Sequence, residues 1–406
     1  MAGENLRAAL DIGTTKIVAL VGETDEEGRI YVIGHGEAAA EGLRRGVVVD
    51  MEKTVRSITA AVKDAQMTSG TEIDRITVGI AGEHIRSINS HGVIAVGRSD
   101  NEITRADVKR AVDAARAVAI PVDREIIHVI PQTFSVDDQS GVKDPIGMTG
   151  VRLEVEAHIV TASITTASNI YRALERCQLG VDRMVLESLA LAGVLLSEEE
   201  TEQGIVMLDI GGDHTNLSVF HEGAVRHTSV IPLGGRNVTN DIAIGLRCSV
   251  DQAETLKLSY GSALAAMVDP EEMLAIPSAS GQTPKEISRH VLASIIEPRM
   301  EEILSLTLRD VKKAAVTDLL AGGIVLTGGG SLLSGTVELA EQIFDTRVRS
   351  GRIGSIEHTP DEMATGRYDA AHGLLVHSFR EEAIVDDRAS RSGWLKRFET
   401  WITKRF

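Results

Sequence analysis

Apolar positions in this chain fall into short runs broken by glycine and acid, separated by stretches with helical spacing. Leu6 to Val21 is apolar except for Asp11-Ile12-Gly13-Thr14-Thr15-Lys16, which predicts a strand, a tight polar turn and a returning strand. Arg29–Ile33 predicts a third strand. Met51–Gln66 sets Val55, Ile58, Ala61 and Val62 on one side of a helix, and Ile73–Ile80 predicts another strand. From His84 to Ala162 the pattern changes. Strand-like pieces at Gly92–Val96, Glu125–Ile130 and Arg152–Val160 surround a helix over Arg105–Val118, with a Pro/Gly/Asp-rich stretch at Asp137–Gly150. That texture predicts a small inserted domain.

The larger pattern resumes at Thr165. It gives a helix over Thr166–Gln178, a strand at Met184–Leu186 and a helix over Ser188–Leu196. Gly204–Asp209 is a continuous apolar run ending in an acid, the mark of a strand buried on both faces. A turn follows, and Leu217–Phe220 returns. Helices are predicted over Asn237–Arg247 and Gln252–Ser259, then a long one over Pro284–Thr317, broken or bent at Pro298. Ile324–Leu326 is a strand running into Thr327-Gly328-Gly329-Gly330. Helices near Gly335–Phe344 and over Thr365–His377 complete the core. Glu381–Ser392 is charged and lacks period, so it reads as a linker.

One repeat organises this list. Ala9-Leu10-Asp11-Ile12-Gly13 and Met207-Leu208-Asp209-Ile210-Gly211 are nearly identical and 198 positions apart. Two similar lobes, each presenting an acidic hairpin, are therefore expected.

Composition narrows the function. A net charge of −17 disfavours broad nucleic-acid binding, which needs a positive face. It also means that any attraction to an anionic bilayer must be local. Cys177 and Cys248 have no metal or redox spacing and fit a reducing cytoplasm. The chain shows no leader-like start and no run of the roughly 20 apolar residues that a membrane-spanning helix needs.

The repeated hairpins suit a Mg-nucleotide. Backbone N–H groups at Gly13, Gly211 and Gly212 can face phosphate without a Cβ in the way. Thr14, Thr15 and Lys16 add hydroxyls and a cation at one tip; Asp213 and Thr215 stand at the other. Asp11 and Asp209 cannot bind phosphate, but they can hold the waters of a hydrated Mg²⁺. Gly328, Gly329 and Gly330 permit close approach of a flat or phosphorylated ligand. Gly234 and Gly235 precede a helix, and Glu254 and Lys257 share a face of the next one at i, i+3, where they could clasp ribose and adenine.

Hairpin, connecting helix, hairpin, Gly-Gly-Gly turn and final helix, in that order, resemble the five-part signature of the actin–hexokinase–Hsp70 superfamily. In finer detail the chain resembles the bacterial cell-division FtsA family along essentially its whole length. The matching segments are Leu10–Lys16, Arg226–Pro232, Ile296–Arg299, Leu326–Gly330, Ala364–Gly373 and the C-terminal tail. The resemblance implies a two-lobed α/β fold of the actin-like, ribonuclease H-like kind. Residues 1–84, 163–197 and 363–380 would form the first lobe core, and 85–162 the inserted α+β domain. Residues 198–232 and 305–362 would form the second lobe core, with 233–304 its outer domain. It implies ATP and Mg as ligands, actin-like filaments, and a tie between the FtsZ ring and the inner face of the cytoplasmic membrane at the division site. It also implies a contact of the FtsZ C-terminal peptide at Arg299 and recruitment of downstream division proteins. Glu187 falls where actin-like ATPases position the attacking water, although a helix N-terminus favours an acid in any case. Family members usually carry Gly-Gly-Gly-Thr in the second hairpin; this chain has Gly212-Asp213-His214-Thr215, which puts hydrolysis in more doubt than binding. A soluble small-molecule kinase of the same superfold is the alternative.

The last fifteen residues weigh against that alternative. On a helix, Trp394, Leu395, Phe398, Trp401, Ile402 and Phe406 share one face, with Lys396, Arg397, Lys404 and Arg405 around it. Both tryptophans of the chain lie here. This is the composition of an amphipathic helix that sits in an anionic bilayer surface, and residues 381–391 would link it to the body.

Overall fold

The opening hairpin forms because its residues are apolar on both sides of the strands. In the computed structural model β1 (Leu6–Ile12) and β2 (Lys16–Thr24) pair antiparallel, with Ile12 opposite Ile17, and Leu10, Ile17 and Leu20 are fully buried. The structure describes residues 5–97, 100–276, 285–314, 321–353, 356–357 and 363–380. β3 (Ile30–Ala39) pairs with β2, and β4 (Leu43–Arg44) and β5 (Val47–Val48) make a short ribbon. Asp50 caps α1 (Met51–Ser69) by accepting from the Lys53 N–H, and α1 lies across β3. β6 (Arg75–Ile80) then returns parallel to β1.

The inserted unit comes next. Its four strands are β7 (Arg86–Ala95), β8 (Arg124–Val136), β9 (Gln139–Val142) and β10 (Arg152–Ser163), in the order β7-β10-β8-β9. Helix α2 (Arg105–Arg116) covers them, with Val108, Ala111, Val112 and Ala115 facing Leu153, Val155 and Phe134. The chain re-enters the first lobe through α3 (Ile164–Arg176) and β11 (Gly180–Leu186), which pairs parallel with β6.

Helices α4 (Glu187–Leu195) and α5 (Glu198–Gln203) lead into the second sheet, which repeats the topology of the first. β12 (Ile205–Ile210), β13 (Thr215–His221) and β14 (Ala224–Ile231) are antiparallel neighbours. Four elements then form the outer part: α6 (Gly235–Leu246), α7 (Val250–Tyr260) and the ribbon β15 (Met273–Ile276) with β16 (Lys285–Ser288). The long α8 (Arg289–Lys313) returns to β17 (Ile324–Thr327), which is parallel to β12. After α9 (Thr336–Phe344) come β18 (Val348–Ser350) beside β17 and β19 (Ile356–Glu357) beside β3 of the first sheet. The last described helix is α10 (Asp369–Phe379).

The sheets therefore run β11-β6-β1-β2-β3-β19 and β14-β13-β12-β17-β18. Apart from β19 they are two copies of one arrangement, as the sequence repeat predicts. Between them a shared core sets Ala9, Val18 and Leu20 of one sheet and Met207, Phe220 and Val325 of the other against α4 and α10. Those two helices are thus held by both lobes.

Three sequence expectations need correction. Of the break or bend expected at Pro298, the break does not occur: α8 is continuous there, because Ile296, Met300, Ile303 and Leu304 bury the turns on both sides. The final helix begins at Asp369, not Thr365: Thr365–Tyr368 form a turn closed by the Tyr368 N–H on the Thr365 carbonyl. β14 is a full strand that the polar alternation of Arg226-His227-Thr228 concealed. The linker and the amphipathic tail lie outside the described residues. Among the described residues no helix is long and apolar enough to cross a membrane.

His158 ties the insert to the second lobe. Its ring bonds Asn89 on β7 at 2.7 Å and Thr228 on β14 at 3.0 Å. Burial, helped by His227, pulls its pKa down to about 4. A histidine depressed in the folded state contributes stability above its unfolded pKa of roughly 6.5, and that contribution is lost as pH falls toward 4. Thermal unfolding at pH 7.5 and 5.5 should show a loss on acidification that His158→Gln reduces by about 1 kcal/mol. An equal loss in both proteins would show that His158 does not carry it.

Candidate functional site

The two hairpins meet tip to tip across the lobes. A Cβ at Gly212 would lie 2.6 Å from the Thr15 methyl and 3.0 Å from the Thr14 hydroxyl, so this close approach requires glycine. Polar contacts reinforce it. Arg236, in the first turn of α6, donates through Nη2 to the Thr14 carbonyl at 3.0 Å, and its Nη1 lies 3.2 Å from Asp213 Oδ1. The Arg45 N–H donates to the other Asp213 oxygen at 2.9 Å. Below the second tip, the N–H groups of Gly235 and Arg236 donate to the carbonyls of Gly211 and Gly212, and Thr215 Oγ1 donates to Leu233. Gly234 and Gly235 thus serve as the seat of the second hairpin.

Behind the tips, carboxyl groups from both lobes crowd together. Burial pushes Asp11 up to about 7, with Lys16 pulling against it and Asp209 adding to it. Burial likewise raises Asp209, opposed by the Asn216 side-chain amide that donates to it at 2.9 Å. Glu187, at the first position of α4, stands well above the usual carboxylate range because it is buried and feels Asp11 and Asp209. Asp369, at the first position of α10, is raised to about 6 by burial and by Asp209, although Thr327 Oγ1 donates to it at 2.6 Å. Burial thus works against ionisation of all four carboxyls, and Lys16 is the cation that opposes it at Asp11. Among the described residues no three His, Cys, Asp or Glu side chains group closely enough to hold a metal ion directly. A cation here would be held through its own waters, the mode expected of Mg²⁺.

Lys16 presents the opposite demand. Its ammonium is buried, has no hydrogen-bond partner, and sits over the Tyr368 ring 3.1 Å from the centroid. Burial lowers it to about 8, with Glu37, 3.7 Å away, opposing that shift. Tyr368 OH donates to Glu37 at 2.7 Å, closing the group. A desolvated ammonium without a hydrogen-bond acceptor is a site that an anion would satisfy.

The glycine turn is built around the second aspartate. Gly328 has φ +82° and passes so close to Asp209 Oδ1 and the Ile210 carbonyl, the latter 2.6 Å from an added Cβ, that no side chain fits. Gly330 packs on Ile210, and Gly329 faces Arg367. Lys257 donates to Glu254 at 2.8 Å, to Thr239 at 2.9 Å and to the Gly235 carbonyl at 3.2 Å, so the pair knits α7 onto the start of α6. Arg299 lies elsewhere, on α8. It bonds Asp241 through two nitrogens at 2.6 and 3.2 Å and also pairs with Glu302, so its charge is already met within the protein.

The structure thus brings Asp11, Glu187 and Asp209 together, and places the tips Gly13–Lys16 and Gly211–Thr215 against each other. Sequence reasoning gave no role to Asp369, Thr327, Tyr368, Glu37, Asn216, Arg45 or Arg236. Asp369 and Tyr368 lay in a segment already noted, and Arg236 directly follows the Gly234-Gly235 pair. Their partners are remote in the chain, and nothing local marks them. A groove of about 420 Å³ between the inserted sheet and the second lobe, lined by Asn89, Gln132, Glu156, His221 and Arg226 among others, includes none of the hairpin, glycine-turn or carboxyl residues of this site.

Comparison with known proteins bears on this arrangement. The family described as Cell division protein FtsA matches residues 206–373, and the SHS2 domain inserted in FtsA matches residues 82–161. The chain is 44% identical to the cell division protein FtsA of Pseudomonas aeruginosa over 92% of this chain and 89% of that protein. Identity to that of Neisseria meningitidis is 40% over 98% of both chains. Among solved structures, the PilM-PilN type IV pilus biogenesis complex is similar at a TM-score of 0.69 and 15% identity, covering 92% of this chain and 99% of that one. MreB 5 of Spiroplasma citri bound to AMPPNP is similar at 0.56 and 14%, covering 92% and 96%. At those identities the likeness bears on the fold, which is the two-lobed actin-like one with an inserted domain.

Gly328→Ala forces a side chain into a left-handed backbone and onto Asp209. It should lower unfolding free energy by about 2–4 kcal/mol in urea titration. Gly329→Ala, whose Cβ would make ordinary contact with Arg367 at 3.6 Å, should change it by less than about 1 kcal/mol. Equal effects would refute the crowding argument.

Proposed function

The chain belongs to the FtsA family of cell-division proteins, and from that premise we propose that it is an ATP-binding filament former that ties the FtsZ ring to the inner face of the cytoplasmic membrane. The observation that carries the ATP part is the double demand between the lobes. The buried Lys16 ammonium makes no hydrogen bond, with Glu37 3.7 Å away, and the carboxyls of Asp11, Asp209, Glu187 and Asp369 are buried with their pKa values raised. A Mg-nucleotide answers both at once. Thr14, Thr15, Lys16 and the Gly211–Thr215 tip would face the phosphates; Asp11 and Asp209 would hold the waters of Mg²⁺. Gly328–Gly330, Gly234, Gly235, Glu254 and Lys257 would cradle the nucleoside. The cation supplies charge compensation for phosphate and carboxylates together.

Turnover is expected to be weak. Glu187 would be the carboxylate that positions the attacking water, and burial together with Asp11 and Asp209 opposes its ionisation. The FtsZ peptide would dock on the outer part of the second lobe. There Arg299 pins α6 to α8 through Asp241, and an incoming carboxylate would share that guanidinium. The inserted domain is the surface we assign to downstream division proteins. The tail supplies the membrane contact: both tryptophans of the chain and four cations lie within its last fifteen residues.

Because Trp394 and Trp401 are the chain's whole tryptophan content, intrinsic Trp emission reports on the tail. Anionic vesicles should shift it to the blue and carry the protein down in sedimentation. Deletion of residues 392–406 should abolish sedimentation without changing the binding of a fluorescent ATP analogue with Mg²⁺. Absence of sedimentation on vesicles of every charge would remove the tether. Absence of nucleotide binding would remove the ATP reading, and neither result would alter the family.

A further inference from the structure

We infer that Arg236 is the side chain by which this chain tells a nucleoside triphosphate from a diphosphate, and that Asp213, on the same lobe, holds it in reserve. This deepens the ATP-binding reading and rests on it.

The geometry sets the terms. With Gly212 packed against the Thr15 methyl and the Thr14 hydroxyl, the two tips touch. A phosphate placed between them would have to part them. Two of the three polar contacts at the tips cross between the lobes: Arg236 to the Thr14 carbonyl at 3.0 Å and the Arg45 N–H to Asp213 at 2.9 Å. The third, Arg236 to Asp213 at 3.2 Å, lies within the second lobe. Parting the tips therefore strips Arg236 of its carbonyl acceptor while Asp213 retains it. A guanidinium released at the point where both phosphate hairpins converge, with its planar set of donors, suits the oxygens of a terminal phosphate. Lys16 is occupied differently, over the Tyr368 ring beside Glu37. A diphosphate brings one fewer charged group to that point.

Asp213 has two possible effects on a triphosphate, and they can be separated. As a bare charge it repels phosphate whether or not Arg236 is present. As the holder of Arg236 it competes with phosphate for the guanidinium, and its effect vanishes when Arg236 is gone. The bidentate position of Asp213, with one oxygen on Arg45 N–H and the other on Arg236, favours the second role.

The experiment is titration of the full chain with Mg²⁺ and fluorescent analogues of ATP and ADP. The variants are Arg236→Ala, Arg236→Lys, Asp213→Asn and Asp213→Asn with Arg236→Ala. An asparagine oxygen can still accept from Arg45, and a thermal melt of each variant checks folding. Arg236→Ala should weaken ATP binding about tenfold or more while moving ADP less than about twofold, and Arg236→Lys should recover part of the loss. Asp213→Asn should tighten ATP several-fold, and that gain should disappear in the Arg236→Ala background. Equal shifts for ATP and ADP on removing Arg236, no shift, or a gain from Asp213→Asn that survives without Arg236 would each overturn the inference. If the unaltered chain binds neither nucleotide, the ATP reading fails and takes this one with it. If it binds both normally and only the variant pattern fails, the ATP reading stands.

Discussion

Four acidic side chains, two from the copies of one sheet and two from the helices between them, converge in the interior, and the rest of the molecule has to accommodate them. Asp11 and Asp209 end the equivalent strands β1 and β12; Glu187 and Asp369 begin α4 and α10, the helices packed between the lobes. None of the four can move away alone, because each stands at the end of a buried element. Burial raises the pKa of all four, and neighbouring acids add to the shift of Asp11, Glu187 and Asp369. Helix N-termini soften the repulsion for Glu187 and Asp369, since the dipole favours an acid in the first turn. Asn216 donates a hydrogen bond to Asp209, and Thr327 donates one to Asp369. Such a concentration of unmet charge is a reservoir for a cation, and it makes the closure of the lobes sensitive to what lies between them.

Closure itself is held mostly by apolar packing. The shared core around α4 and α10 takes side chains from both sheets, so these helices form the floor on which the lobes would pivot. The hairpin tips form the opposite side and are joined by few polar contacts. Parting at the tips therefore costs only a few hydrogen bonds, whereas parting at the floor would expose buried surface of Leu20, Leu191, Met207 and Leu374. Opening is expected to be a hinge about the floor.

Legibility of this design in the sequence followed the range of the interactions. Both hairpins, the duplicated topology and the inserted unit are written in short runs and in one repeat, so period and turn residues were enough to find them. The partners that complete the site are not local. Tyr368 covers Lys16 across more than 350 positions, and Asp213 takes the amide of Arg45 from the other lobe. The helix boundary at Asp369 was misplaced because Thr365–Tyr368 has helix-compatible residues but is committed to a turn beside Gly328. Pro298 was read as a break or a bend because proline removes one helical hydrogen bond. The buried face of α8 outweighs that loss and keeps the helix continuous. β14 was missed for a related reason: its polar residues have partners within the protein, Thr228 bonding His158 and accepting from Ser87 of the insert, and Ser229 donating to Asp310 of α8.

The two lobes began as the same sheet, yet their tips have opposite chemistry. The first carries Thr14, Thr15 and Lys16, donors throughout; the second carries Asp213, an acceptor where an anion is expected to lie. A symmetric pair of donor tips would repel in the absence of ligand. Substituting an acid at one tip allows the empty cleft to close, provided that a cation is at hand to neutralise it, and Arg236 at the start of α6 is that cation. The same acid that permits closure without a ligand must then be overcome when a phosphate enters. In the proposed ATP reading this asymmetry sets nucleotide affinity against contact between the tips, and the balance would depend on Arg236 changing partners.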